Sequence, residues 1–420
     1  MPNDPIPTPD PEDIADDPLT QRNDSIFARR ELLRIGHVPD SDRIVGRDGE
    51  IKDIEELLRP GVFGDPPGNA IVYGKTGSGK SLVSRHVTGR ARAIAQNNDI
   101  SLISAYIDCD QANTITRVAR SLSQQAEYQS TRSLDIPDKG IGSSEYMDYL
   151  YTLLEDADVL IAIIDEIDKL GDDEILFKLS RAEESGKTDC YIGVIAISNK
   201  IEYYENLDER VKSSFQDDEL VFHPYDARQI REILNKRRDA FQPDVLDDGV
   251  IPRVAALAAR EHGDARKAIE ILSSAGKLAA RNGDSSVSED HVDAAQDYAE
   301  MSRFQELIRG STPHSKYVLF ALAYLQKSSL KQAFSTGEIY RVYEDVCKSE
   351  GTDPLSHQRV LELLKEWAFS DVTENRHTGG GKSEGSYREH SLLRDSDMVL
   401  DTVFEEPKTK QNIVSDLQDG

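Results

Sequence analysis

Gly74-Lys75-Thr76-Gly77-Ser78-Gly79-Lys80-Ser81 decides how the rest of this chain is read. The stretch fits G-x-x-x-x-G-K-[ST]. An apolar run, Ala70–Tyr73, leads into it, and Ser81–Gln96 leaves it with helical character. Strand, glycine-rich turn and helix in that order predict a phosphate-binding loop. Glycines let backbone N–H groups turn inward around phosphate oxygens, and the helix N-terminus adds positive potential. Lys80 is expected to reach the β- and γ-phosphates, and Ser81 to ligate Mg²⁺ through its hydroxyl. Gly74, Lys75, Thr76, Gly77, Ser78 and Gly79 make the expected cradle.

Downstream, Val159–Ile164 runs into Asp165-Glu166. A buried strand there delivers carboxylates at its C-terminal end, where ligands bind in open α/β sheets. Asp165 is expected to hold the Mg²⁺ shell, and Glu166 to orient and polarise an attacking water. Asp168 is expected to face solvent or cap a helix. Asn199-Lys200-Ile201-Glu202 nearly spells the guanine motif N-K-x-D. A GTPase would also carry D-x-x-G at the metal strand, where this chain has Asp168. Asn199 is therefore read as a polar sensor near the γ-phosphate or the lytic water.

Arg210 precedes a short strand, Leu220–Phe222. It can stabilise transition-state charge in a neighbour's site, or pair on the surface with Asp208 or Glu209. Arg266 follows His262-Gly263-Asp264 in the first turn of a helix, with Asp264 as the expected cap. It can contact bound nucleotide there, or be a solvated helix residue.

The chain of 420 residues has room for two or three domains. Continuous apolar strands alternate with helices from Ala70 to about Pro224, which predicts a parallel sheet covered on both faces. From Ala227 to about Met301 only helical periods occur. Pro313 opens a third region of short helices and a Gly-rich hairpin. The expected division is a disordered acidic arm over 1–23, a nucleotide-binding α/β domain over 24–225, a helical lid over 226–305 and a terminal domain over 306–420. No apolar run is long enough to span a membrane, and the N-terminus lacks the apolar core of a secretory signal. Cys109, Cys190 and Cys347 stand far apart, against a metal knuckle or disulfide framework. A cytoplasmic protein is expected.

The formal charge is −27. It reads as a solvated surface or as adaptation to a salt-rich cytosol. The second reading matters, because such acidity otherwise counts against nucleic-acid binding. In concentrated salt the counterion gain from phosphate contacts is already small.

Phosphate loop, metal strand, sensor Asn199, Arg210 and Arg266 resemble, in this order, an AAA+ ATPase. Val45-Gly46-Arg47-Asp48-Gly49-Glu50-Ile51, Asp165–Leu170, Arg210–Ser214 and Gly263–Lys267 resemble more closely the archaeal origin-recognition/Cdc-type replication initiators. The likeness runs from about Arg30 to the C-terminus, and the acidity adds a haloarchaeal source. The resemblance implies ATP or ADP with Mg²⁺, a slow ATPase acting as a switch, and Arg47 near base and ribose. It implies binding to double-stranded origin DNA, recruitment of the replicative minichromosome-maintenance helicase, and other initiator subunits as further partners. It also implies that the segment Asp110–Gln125 is the family's DNA-contacting helical insertion, with Thr114, Arg117 and Arg120 as candidates. An ordinary amphipathic surface helix is the plainer reading of that segment.

The C-terminal region reads as a winged helix. Ser335-Thr336-Gly337-Glu338 is a capping-box pattern. Ser356 caps a second helix with Val360, Leu361, Leu364 and Trp367 inward, and His357, Gln358 and Arg359 in its first turn. N-terminal residues of a recognition helix reach base edges. Ser370–Glu374 and Tyr387–Leu392 are expected to pair as a wing, with Lys382 and Arg388 on it. Trp367-Ala368-Phe369-Ser370 replaces the glycine-plus-apolar step usual in the family. The segment is not basic, so a role in protein contact is the competing reading. For the whole chain the alternatives are an ATP-switched DNA-binding regulator away from origins, and a helicase motor. The motor lacks a second ATPase core and a helicase motif set after Asn199.

Overall fold

The computed structural model describes residues 25–213, 215, 219–378 and 387–404. The arm expected over 1–23 and the wing residue Lys382 lie outside the described residues. Contacts divide the chain into two compact units, Met1–Ala295 and Gln296–Gly420.

The first unit runs α1 (Asp48–Leu58), β1 (Ala70–Gly74), α2 (Lys80–Asn97), β2 (Leu102–Asp108), α3 (Ile115–Gln129), α4 (Ser143–Leu153), β3 (Val159–Asp165), α5 (Glu174–Ser180), β4 (Tyr191–Ser198), α6 (Glu209–Lys212) and β5 (Glu219–Phe222). The strands order β2-β3-β4-β1-β5, with every neighbouring pair parallel. Strand β3 shows why the sheet forms. Val159, Ile161 and Ile163 pack on one face with Val83 and Val87 of α2, while Leu160, Ala162 and Ile164 pack on the other with Leu122 of α3 and Leu150 of α4. Both faces are covered, so apolar residues run without alternation. Parallel pairing places the C-terminal ends of all five strands on one edge, and sets Asp108 beside Asp165.

Strand β2 is an edge, and two glutamines of α3 satisfy its outward backbone. The N–H of Tyr106 donates to Gln125 Oε1 at 3.0 Å, and Gln125 Nε2 donates back to Tyr106 O at 2.8 Å. Gln129 does the same for Ser104, at 3.1 and 2.7 Å. Residues i and i+4 of a helix thus match residues i and i+2 of a strand. This closes an edge that would otherwise template pairing with another chain.

The helical part holds α7 (Ala227–Asn235), α8 (Val250–Arg260), α9 (Ala265–Asn282) and the start of α10 (Glu289–Gly310). Asp226 and Gln229 form a capping box at α7. Ile230, Leu234, Val254 and Leu272 are fully buried between these helices. Ile26, Phe27, Leu32 and Leu33 join this core rather than the sheet. Only a single tight turn, Arg30–Leu33, forms in this segment. Phe27 instead bridges Phe241, with ring centroids 5.1 Å apart.

The second unit holds α11 (Pro313–Ser328), β6 (Phe334–Ser335), α12 (Thr336–Ser349), α13 (His357–Phe369), β7 (Thr373–Thr378), β8 (Tyr387–Leu392) and α14 (Ser396–Val403). Its strands order β6-β8-β7, antiparallel. The capping box at Ser335–Glu338 and the Ser356 cap form as expected. Two expectations are corrected. Leu363, not Leu361, faces inward beside Val360, Leu364 and Trp367. The first wing strand starts at Thr373 rather than Ser370, because the chain must first leave the helix. Asp371 makes that exit in the left-handed region, at φ +55, the conformation a glycine would take at a helix end. The N–H of Val372 then bonds the carbonyl of Trp367 at 3.0 Å. The missing glycine is thus replaced by an aspartate, and the wing strands still pair.

No helix among the described residues is long and apolar enough to cross a membrane.

Candidate functional site

The loop 74–81 bends because its glycines accept positive φ: +151 at Gly74, +76 at Gly77 and +92 at Gly79. Each also sits where a side chain could not. A Cβ on Gly74 would lie 2.3 Å from Phe222 O, and one on Gly77 would lie 1.8 Å from Asp264 Oδ1. Lys80 opens α2 and is buried. Its Nζ donates to Gly74 O at 2.7 Å, Lys75 O at 3.1 Å and Asn199 Oδ1 at 2.9 Å. Burial pushes its pKa down to about 8, against the pull of Asp165. An anion arriving here would relieve that cost. The Ser78 hydroxyl is buried in the same loop with no hydrogen-bond partner among the described residues.

Thr76, Gly77, Gly79, Lys80 and Ser81 line a cleft that Asp108, Asp165, Glu166, Asn199 and Arg266 also line. Asp165 ends β3. Its Oδ2 accepts from the Tyr106 hydroxyl at 2.7 Å, and its Oδ1 from the N–H of Glu166 at 2.9 Å. Burial and the neighbouring carboxylate raise the Tyr106 pKa, so the phenol stays a donor. Glu166 turns the chain sharply at φ +54, a costly conformation for a residue with a side chain. Burial, then Asp108 and Asp165, raise its pKa, which makes it a stronger base.

Oxygen donors alone suit Mg²⁺. No three His, Cys, Asp or Glu side chains converge on one point among the described residues. Mg²⁺ carried with a nucleotide needs no such cage, since it uses one or two carboxylates and phosphate oxygens. Ser81 and Asp165 fit that requirement, and the bound ion would neutralise phosphate charge.

Asp168 is corrected. Its side chain is only 5% exposed. It accepts from Ser198 Oγ at 3.0 Å and from the N–H of Asn199 at 3.3 Å, which fixes Asn199 against Lys80. Asn199 therefore sits at the phosphate end, not where an N-K-x-D motif would read a base. Arg47 does not line the cleft. Its Nε donates to Ser78 O at 2.9 Å, Nη2 to His223 O at 2.5 Å and Nη1 to Glu50 at 2.8 Å, and it lies 4.0 Å from the Tyr225 ring centroid. It braces the loop from behind. Arg210 is exposed on α6 and outside the cleft. No Asp208 or Glu209 side-chain pairing holds its guanidinium among the described residues.

The cleft's apolar end was missed in the sequence. Ile35, Val38, Ile44, Val45, Ile233 and Ile269 line it, from three places far apart in the chain: the segment before α1, α7 and α9. The adjacent apolar pair Ile44-Val45 was the one local signal. At the lid, the N–H of Ala265 donates to Gly77 O at 3.3 Å, and Asp264 caps α9 while abutting Gly77. Arg266 is close enough for its charge to depress Lys80.

Three family profiles match: an AAA domain over 65–198, a Cdc6 AAA+ ATPase-type lid domain over 231–297, and a CDC6 C-terminal winged helix domain over 306–402. ORC1-type DNA replication protein 4 of Halobacterium salinarum is 48% identical, over 94% of this chain and 96% of its own length. The chain belongs to the ORC1/Cdc6 family of replication initiators. ORC1-type DNA replication protein 9 of Haloarcula marismortui is 48% identical over 89% of this chain and 91% of its own. Both sources agree with the acidic composition. The solved structure of Aeropyrum pernix ORC1 in complex with DNA matches with TM-score 0.73 and 33% identity, over 94% of this chain and 99% of that one. Nucleotide binding and hydrolysis come with the AAA+ domain of this family.

The candidate DNA residues of this ORC1/Cdc6 chain fall in two places. Thr114 caps α3, accepting the N–H of Arg117 at 3.3 Å, and Arg117 Nη1 donates to Asn113 at 3.0 Å. Arg120 is half-buried and donates to Asp138 O at 2.6 Å. In the winged helix, His357 and Gln358 are exposed on α13. Arg359 pairs with Glu362 at 2.9 Å and Glu366 at 3.1 Å along its own helix. It must break those pairs to reach a base. His357, His377, Arg388 and Lys331 line one groove with Gly337 at the start of α12. His377 and Lys331 were not singled out in the sequence, because only strand pairing brings them beside α13.

Proposed function

We propose that this chain is an ATP-controlled initiator that binds replication-origin DNA and helps recruit the replicative minichromosome-maintenance helicase. The observation that carries the ATP control is the contact between lid and loop. The first turn of α9 bonds Gly77, so whatever the loop holds bears directly on the lid. Lys80 holds the phosphates, Asn199 positions Lys80, and Arg266 meets the nucleotide from the lid. Glu166 orients the water for in-line attack and takes its proton. Turnover is slow, because Arg210 lies outside its own cleft and acts on a neighbour's nucleotide. ATP is then a switch setting lid and winged-helix orientation. Thr114, Arg117 and Arg120 contact DNA from α3, and His357, Gln358, Arg359 and Arg388 from the winged helix. The protein works in the cytoplasm, on the nucleoid.

The test is chromatin mapping of wild type and Lys80→Ala in the host, beside nucleotide binding by the purified chain in molar KCl. Lys80→Ala is expected to lose nucleotide and origin occupancy together. Occupancy spread over promoters instead of origins would make the protein a regulator.

A further inference from the structure

Asp165 is held from two sides, and only one of them is its own turn. The N–H of Glu166 takes Oδ1, while Oδ2 accepts the Tyr106 hydroxyl from the adjacent strand at 2.7 Å. Tyr106 is itself fixed twice. Gln125 clamps its backbone N–H and C=O at 3.0 and 2.8 Å. The Arg85 guanidinium of α2 lies over its ring, 4.8 Å from the centroid. A terminal carboxylate torsion is broad unless something pins it. Arg85 and Tyr106 both line the nucleotide cleft, so this brace stands at the site itself.

We propose that Tyr106 is a positioning residue: its hydroxyl sets the Asp165 carboxylate for the nucleotide-bound divalent ion, and α3 sets Tyr106 through Gln125. This rests on the nucleotide-site reading above. It also joins two features the sequence keeps apart, the metal strand and the inserted helix carrying Arg117 and Arg120. A clamp at Gln125 means that a shift of α3 along the sheet edge moves Tyr106 with it.

Tyr106→Phe isolates the hydrogen bond, because the ring and its Arg85 contact remain. The full-length chain, loaded with ADP in molar KCl, is titrated with Mn²⁺ and read by electron paramagnetic resonance. Affinity for fluorescent ADP is measured in parallel in EDTA. Tyr106→Phe is expected to weaken Mn²⁺ by about tenfold, the scale on which hydrogen-bond partners of metal ligands act. Its ADP affinity in EDTA should match wild type. Gln125→Ala leaves the hydroxyl in place and should weaken Mn²⁺ by a smaller factor, again without change in EDTA. Wild-type Mn²⁺ affinity in Tyr106→Phe overturns the proposal. So does a loss of ADP in EDTA by the same factor, which would mark a structural role only. A wild-type chain that holds no nucleotide overturns the site reading as well, so the two failures are distinguishable.

Discussion

Glu166 and Arg47 show what single residues reveal. Glu166 touches the reacting water in the proposed mechanism, and its carboxylate is made more basic by burial and by Asp108 and Asp165. Glu166→Gln keeps the shape and loses the base. It should bind ATP as wild type does while single-turnover hydrolysis falls by about 10²-fold or more. Arg47 acts differently. Its guanidinium joins Ser78 O, His223 O and Glu50 while lying over Tyr225. Lysine cannot reproduce a fork that also stacks. Arg47→Lys should lower stability by about 1–3 kcal/mol, read as a shift in denaturation midpoint. Nucleotide affinity should fall only through the loosened loop. Lys80, Ser81, Asp165 and Glu166 were legible because two short signatures, the glycine loop and the apolar run ending in Asp165-Glu166, fix their neighbours. Arg47 and Asp168 were not, because their partners lie up to 176 and about 30 residues away.

Among the elements, strands were read more surely than helix starts. Strands β1, β3 and β4 stand close to their apolar runs, since burial on both faces leaves no alternative composition, whereas the edge strand β5 buries only Phe222. Helix α3 was expected from Asp110 but begins at Ile115, because Thr114 caps it and Asp108 holds the N–H of Asp110. Such side-chain bonds are invisible to periodicity. The same holds for the winged helix. There His390 is fully buried, bridging the Thr336 hydroxyl on α12 and Asn375 on β7. Burial lowers its pKa from 6.5 to about 4. The folded state therefore prefers neutral histidine, and the unfolded chain protonates first. The stability this confers is full above about pH 6.5 and is lost as pH falls toward about 4. The amount is about 3 kcal/mol. Trp367, the single tryptophan, lies in this core and reports on it. Its fluorescence should show the winged helix weakening between those pH values, and His390→Gln should flatten that slope.

For the molecule as a whole, charge decides how it can meet DNA. At −27, self-repulsion opposes the compact state in dilute buffer. The denaturation midpoint should therefore rise steadily as KCl increases toward the molar range. The same salt removes most of the counterion gain from phosphate contacts. The candidate cations are Arg117, Arg120, Arg359, Lys382 and Arg388. If all five met phosphates, log K against log salt would fall with a slope near −4.5. Arg359 begins paired with Glu362 and Glu366, and Arg120 with the Asp138 carbonyl. Each must exchange a protein partner for a phosphate, so the slope should be shallower than that. Fluorescence anisotropy on an origin duplex from about 0.5 to 3 M KCl measures it. A slope of about −8 or steeper would require phosphate contacts beyond these residues. A shallow slope leaves discrimination to base edges and duplex shape. In that case Arg359→Ala should cost about 1–3 kcal/mol on a cognate site where it reads a guanine, and almost nothing on random DNA.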